Sequence, residues 1–157
     1  MNQSRPWPAF AAAALALFAG ALHAGDHGSR GVGLLPAYQE ECGTCHAPYP
    51  PGLLPASSWQ RVMGTLSRHY ATDASLDAAT AQQLSSWLAA NAGSSRHARE
   101  APPQDRITRS AWFVREHDEV PAATWRSAAV KSPANCGACH SQANQGDFDE
   151  HRVRIPR

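Results

Sequence analysis

The chain has 157 residues, of which 43% are hydrophobic and 17% charged, with 14 Lys and Arg set against 13 Asp and Glu. That length suits one globular domain or two very small ones. The near-balanced charge lacks the concentrated basic stripe of a nucleic-acid binder and excludes that class.

At the N-terminus, Arg5 precedes an apolar stretch from Ala9 to Leu22, and the segment closes on the small residues Ala21 and Ala24. This is the three-part layout of a secretory signal peptide, so residues 1–24 are expected to be cleaved near Ala24. The apolar run is about 14 residues, short of the roughly 20 that span a bilayer, and no later run is longer. The mature chain is therefore expected in the periplasm or an equivalent exported compartment. In so oxidising a compartment the default reading of Cys42, Cys45, Cys136 and Cys139 is two disulfides.

Gly25 to Gly33 reads as a loose leader, and the pentapeptide Cys42-Gly43-Thr44-Cys45-His46 follows. Tyr49 to Pro55 is expected to be extended, because each proline fixes its own φ and discourages helix in the residue before it. Ser57 and Gln60 form a capping box for a helix that gathers Trp59, Val62, Met63, Leu66 and Tyr70 on one face, with His69 on that same face. A second helix is expected from Ser75 as N-cap, with Asp77 in its first turn. It buries Leu76, Leu84, Trp87 and Leu88 and ends near Asn91-Ala92-Gly93.

Residues 93–106 are polar and contain Pro102-Pro103, which reads as a linker between an N-terminal half, 25–92, and a C-terminal half, 107–157. Trp112, Phe113, Glu116 and Val120 predict a short helix stopped by Pro121, with His117 at the edge of its apolar face. Trp125 to Val130 predicts another turn or two. The second pentapeptide, Cys136-Gly137-Ala138-Cys139-His140, comes next, and the chain finishes with a basic tail, Arg152, Arg154 and Arg157, read as solvated. No useful strand alternation occurs, so the expected fold is all-α, two small helical halves with little or no β.

Two thiols spaced by two residues and followed by His form the attachment site of a c-type haem: the thiols add across the porphyrin vinyl groups and the His ligates iron. Two such motifs consume all four cysteines, which points to two covalently bound haem c groups. A structural zinc site fits poorly, since the Cys pairs lie about ninety residues apart against the ~15–20 of a zinc ribbon. A thioredoxin-like centre needs a βαβ context that the pattern lacks. Haem also explains how such small halves fold, because a macrocycle supplies apolar surface that a core of this size cannot; the apoprotein is expected to be disordered.

The second axial ligand separates an electron carrier from an enzyme, since an iron with both positions filled mainly transfers electrons. Beyond the leader there is one methionine, Met63, so at most one haem can be His/Met. His69 follows His46 by the same interval at which His117 precedes His140, giving each motif a candidate partner in its own half. Met63 and His151 are the substitutes, while His27 and His97 lie in loose sequence. Two bis-histidine irons would give potentials below those of a His/Met cytochrome.

Tyr49-Pro50-Pro51, Leu53-Leu54-Pro55, Ser58-Trp59, Met63, His69 and Asp73-Ala74-Ser75-Leu76 around the first motif resemble the small periplasmic dihaem cytochrome c family. So do Trp112, Arg115-Glu116-His117, Ser132-Pro133-Ala134-Asn135 and Gly146-Asp147-Phe148-Asp149 around the second. The resemblance covers nearly all the mature chain. It implies a monomeric low-potential electron carrier whose first half is similar to class I cytochrome c, with His46 and His140 as proximal and His69 and His117 as distal ligands. It further implies redox-protein partners: an oxygen-binding monohaem cytochrome c as acceptor and a membrane b-type cytochrome as donor. The rival readings are a dihaem peroxidase-like enzyme with one open iron, and a haem-based sensor that loses a weak ligand, for which His117 among its charged neighbours is the candidate.

Overall fold

The computed structural model describes residues 33–94 and 98–156. The expected signal peptide, most of the leader, and His27 and His97 lie outside them. Among the described residues there are five α-helices, joined by 3₁₀ turns, and no strands, and no helix is long and apolar enough to cross a membrane.

Helix α1, Pro36–Gly43, starts on a proline whose fixed φ suits a first helical position. Its apolar residues follow no helical period, so the sequence pattern did not reveal it. The Tyr49–Pro55 stretch is extended at Pro50 and Pro55 but forms a 3₁₀ turn, Pro51–Leu53, between them. Helix α2, Ala56–Met63, then begins one residue before the expected capping box. Pro55 is the N-cap, with no side-chain capping bond, and its carbonyl accepts from the amides of Ser58 and Trp59. Ser57 lies inside the helix and caps nothing.

Helix α3, Ala78–Ala90, is capped by Asp77 rather than Ser75: the Asp77 carboxylate accepts from the amides of Ala79 at 3.0 Å and Thr80 at 3.1 Å. Ser75 instead closes a local turn by donating its amide to Asp73. The helix stops at Asn91 as the sequence predicts. Helix α4, Ala111–Glu116, is capped by Ser110, whose hydroxyl oxygen accepts from the Phe113 amide and donates to the Ile107 carbonyl. Helix α5, Ala122–Arg126, follows Pro121 and carries Trp125.

Tyr38 of α1, Leu54, Trp59 of α2, Leu84 and Leu88 of α3, Phe113 of α4 and Ile107 just before α4 form one buried cluster. Burying a leucine such as Leu84 or Leu88 contributes roughly 1.5–3 kcal/mol each, and α2 packs along α3 over these residues. Trp59 satisfies its indole nitrogen inside the core by donating to the Pro51 carbonyl at 2.8 Å.

The cluster draws on residues either side of 93–106, and the described part of that segment is packed down. Ala98 is buried. Arg61 of α2 forms a two-pronged ion pair with Asp105, at 2.7 and 2.9 Å. The Gly93 amide donates to the Leu54 carbonyl, and a Cβ at Gly93 would collide with the Gly52 carbonyl and with Ala98, so only glycine allows this approach.

Candidate haem sites

The first motif runs off the end of α1, which places Cys42 in the last helical turn and frees Cys45 and His46 beyond it. His46 Nδ1 lies 2.8 Å from the Ala47 carbonyl. A carbonyl can only accept, so Nδ1 carries the proton and, in the neutral ring, Nε2 keeps its lone pair for a metal.

His69 arrives by a route the periodicity did not predict. Helix α2 ends at Met63, and His69 follows a 3₁₀ turn, Leu66–Arg68, in extended backbone. The next two residues, Tyr70 and Ala71, take positive φ values of 50° and 77°, unusual for residues with a Cβ. That turn is closed by the Thr72 amide on the His69 carbonyl at 2.9 Å. It is braced by the Tyr70 hydroxyl, which lies 3.1 Å from both the Gln104 and Asp105 carbonyls, themselves in a second positive-φ turn. Arg106 sits 4.1 Å over the Tyr70 ring. The outcome is that the His46 and His69 ring centroids lie 6.2 Å apart with planes 24° from parallel.

The second site is built the other way round. His117 is the C-cap of α4, where its Nδ1 donates to the Phe113 carbonyl at 2.8 Å and its ring stacks on the Phe113 ring at 4.0 Å. The Cys136 motif forms a tight 3₁₀ turn in which the amides of Cys139 and His140 both donate to the Cys136 carbonyl. The C-terminal segment folds over it, with Arg154 donating its amide to the Cys139 carbonyl and Val153 bridging to His140. The ring centroids of His117 and His140 are again 6.2 Å apart, here at 64°. Trp125 and Phe148 flank the pair, at 5.9 Å from His117 and 5.3 Å from His140.

Two imidazoles that each place a nitrogen about 2 Å from a shared metal, with that nitrogen about 1.2 Å from its ring centre, have centroids ~6.4 Å apart. Both pairs match this spacing. Two imidazoles at this spacing suit a metal held chiefly by a macrocycle; among the described residues no group of three His, Cys, Asp or Glu side chains gathers as for a bare ion. None of the four cysteines is disulfide-bonded, and burial pushes the Cys42 and Cys136 thiols up to about 11. Burial and the neighbouring His46 hold His69 below the usual imidazole range; burial and His117 do the same for His140. The His140 Nδ1 is buried with no hydrogen-bond partner among the described residues.

Open clefts adjoin both sites, one of about 390 Å³ lined by His69, Tyr70, Arg61 and Arg68, the other of about 320 Å³ lined by His117, Phe113, Val120 and Trp125. Of the two substitute ligands, Met63 packs against the core and His151 is exposed. Of the basic tail, Arg152 folds back onto Asp147 and Asp149. Sequence reasoning missed Phe113 as the partner of His117, although its position one helical turn earlier is a readable signal. It also missed the stacking of Tyr49 on His46, with ring centroids 4.9 Å apart.

A family model for dihaem cytochrome c matches residues 38–148. A search of curated proteins gives no match. Among solved structures, the chain is similar to a dihaem cytochrome type c from Shewanella baltica OS155, with 35% identity over 77% of this chain and 92% of that one, and a TM-score of 0.67. It is also similar to the dihaem cytochrome purified from Rhodobacter sphaeroides, with 41% identity over 74% of this chain and 99% of that one, and a TM-score of 0.64. This chain belongs to the dihaem cytochrome c family, a family of electron-transfer proteins, and carries two covalently bound haem c groups.

Proposed function

We propose that the chain is a low-potential electron relay whose irons are each ligated by two histidines, His46 with His69 and His140 with His117. Cys42, Cys45, Cys136 and Cys139 supply the thioether links. The carrying observation is the repeated 6.2 Å separation of the two ring pairs, reached through different local structures.

When bound, the haem iron supplies a ferric/ferrous couple. The chain's own contribution would be two imidazoles to each iron, from His46 and His69 at one site and from His140 and His117 at the other. The Nδ1 bonds of His46 and His117 hold those rings in one tautomer and one orientation, so a change of charge demands little rearrangement. Two imidazoles on each iron would leave no site for oxygen, peroxide or another substrate, which supports an electron carrier over an enzyme. Two imidazoles, without a thioether sulfur, set the potentials low.

The signal-peptide layout of residues 1–24, and the export typical of cytochrome c families, support a periplasmic location. There the chain would act as a monomer, taking electrons from a membrane b-type cytochrome and passing them to an oxygen-binding monohaem cytochrome c. A spectroelectrochemical titration tests the reading. Both haems are expected to reduce at potentials below those of His/Met cytochromes; one haem in the His/Met range would contradict it.

A further inference from the structure

Tyr49 touches both sites at once. Its carbonyl oxygen accepts the hydroxyl of the buried Tyr38 at 2.8 Å, which anchors its backbone to α1. Its ring stacks on His46, with planes 24° apart. Its hydroxyl donates to the Ala134 carbonyl at 3.1 Å and meets the Cys136 sulfur. The far end of this contact is itself held: the Ala134 amide donates to Ser132 Oγ at 3.1 Å, and the Asn135 side chain donates to the Val130 carbonyl at 3.0 Å. A single side chain thus spans, through direct contacts, from the ring of one motif histidine to the peptide leading into the other motif.

We propose that Tyr49 is the positioning residue that couples the two haem sites, orienting the His46 ring and holding the Cys136 segment at a fixed distance from it. The inference rests on His46 and Cys136 belonging to the two haem sites. A group packed against a ligand histidine sets its ring orientation and so the electronics of the iron. Electron transfer through protein weakens steeply wherever the packed path is broken, and the Tyr49 hydroxyl closes one such gap. With both haems bound, the exchange concerned would move one electron from the ferrous site to the ferric one, with no further species oxidised or reduced. Because the coupling is a property of the pair, the redox state of each site alters the potential of the other by the same amount.

The test compares the wild-type holoprotein with Tyr49→Phe and Tyr49→Leu, each checked for native circular dichroism. Tyr49→Phe keeps the ring and loses only the hydroxyl. It is expected to slow exchange between the haems several-fold, measured by magnetisation transfer in half-reduced protein, while the low-spin electron paramagnetic resonance signals stay in place. Tyr49→Leu also removes the stacking ring and is expected to shift the signal of the His46 haem alone. An unchanged exchange rate in Tyr49→Phe, or an unchanged His46 haem signal in Tyr49→Leu, overturns the proposal. Should Tyr49→Leu fail to fold, the exchange rate of Tyr49→Phe decides alone. Carbon monoxide binding by the wild-type ferrous protein would count against bis-histidine ligation and leave this outcome separate, since Tyr49 meets His46 and Ala134 whatever lies across the iron.

Discussion

Phe113 and His117 stand one turn apart at the end of α4, and Phe113 fixes His117 twice: its ring stacks on the imidazole at 4.0 Å and its carbonyl accepts the Nδ1 proton at 2.8 Å. His117 is thereby held with its ring centroid 6.2 Å from that of His140, although it lies just beyond the last helical residue. The arrangement argues against His117 as a ligand easily lost, the feature a sensor would need.

On the proposed ligation, His117→Ala should open the iron of the second site, and His69→Ala that of the first. Each variant should bind carbon monoxide in the ferrous state at one haem per chain, with the double variant binding two, read from the difference spectrum. His117→Met should raise the potential of the second haem, because a thioether ligand favours the ferrous state. Variants that still exclude carbon monoxide would move the ligand assignment elsewhere.

Asp77, not Ser75, accepts the free amides at the start of α3. Asp77→Ala should therefore cost about 1 kcal/mol in thermal or denaturant unfolding, whereas Ser75→Ala, which leaves that cap in place, should cost much less. Equal losses would mean that the two residues cap jointly.

The close approach of Gly93 to Gly52 and Ala98 leaves no room for a side chain, and the obstructing oxygen is backbone and cannot swing aside. Gly93→Ala is expected to destabilise by about 1–3 kcal/mol, seen as a lowered unfolding midpoint. Gly52→Ala, with nothing within 4 Å of its added methyl, should be close to neutral.

Helices of 8, 8, 13, 6 and 5 residues are too short to persist by themselves. Chain produced without haem attachment should lack native helicity by circular dichroism. A native spectrum from such chain would show that the shared core suffices alone.

Much of the site was legible because its chemistry is local in sequence. Each Cys-x-x-Cys-His pentapeptide declares its own cofactor, and the equal spacing from His46 to His69 and from His117 to His140 picks out two pairs whose ring centroids the fold brings to 6.2 Å. The helix carrying Trp59 and the one carrying Leu84 and Leu88 were legible from their apolar period. What stayed hidden depends on contacts distant in sequence or on the backbone. His69 seemed to continue a helix, because period alone cannot register the break after Met63 or the positive φ at Tyr70 and Ala71. The polarity of residues 93–106 predicts a linker, yet Asp105 and Gly93 are tied to the first half by Arg61 and Leu54, partners that only the fold supplies.

The central claim, that both irons hold two histidines, is tested most directly by the near-infrared and electron paramagnetic resonance spectra of the oxidised holoprotein, followed by carbon monoxide addition to the reduced form. Two low-spin bis-histidine haems per chain that ignore carbon monoxide are the predicted result. A high-spin haem, a methionine-type near-infrared band, or carbon monoxide binding by either haem would contradict it.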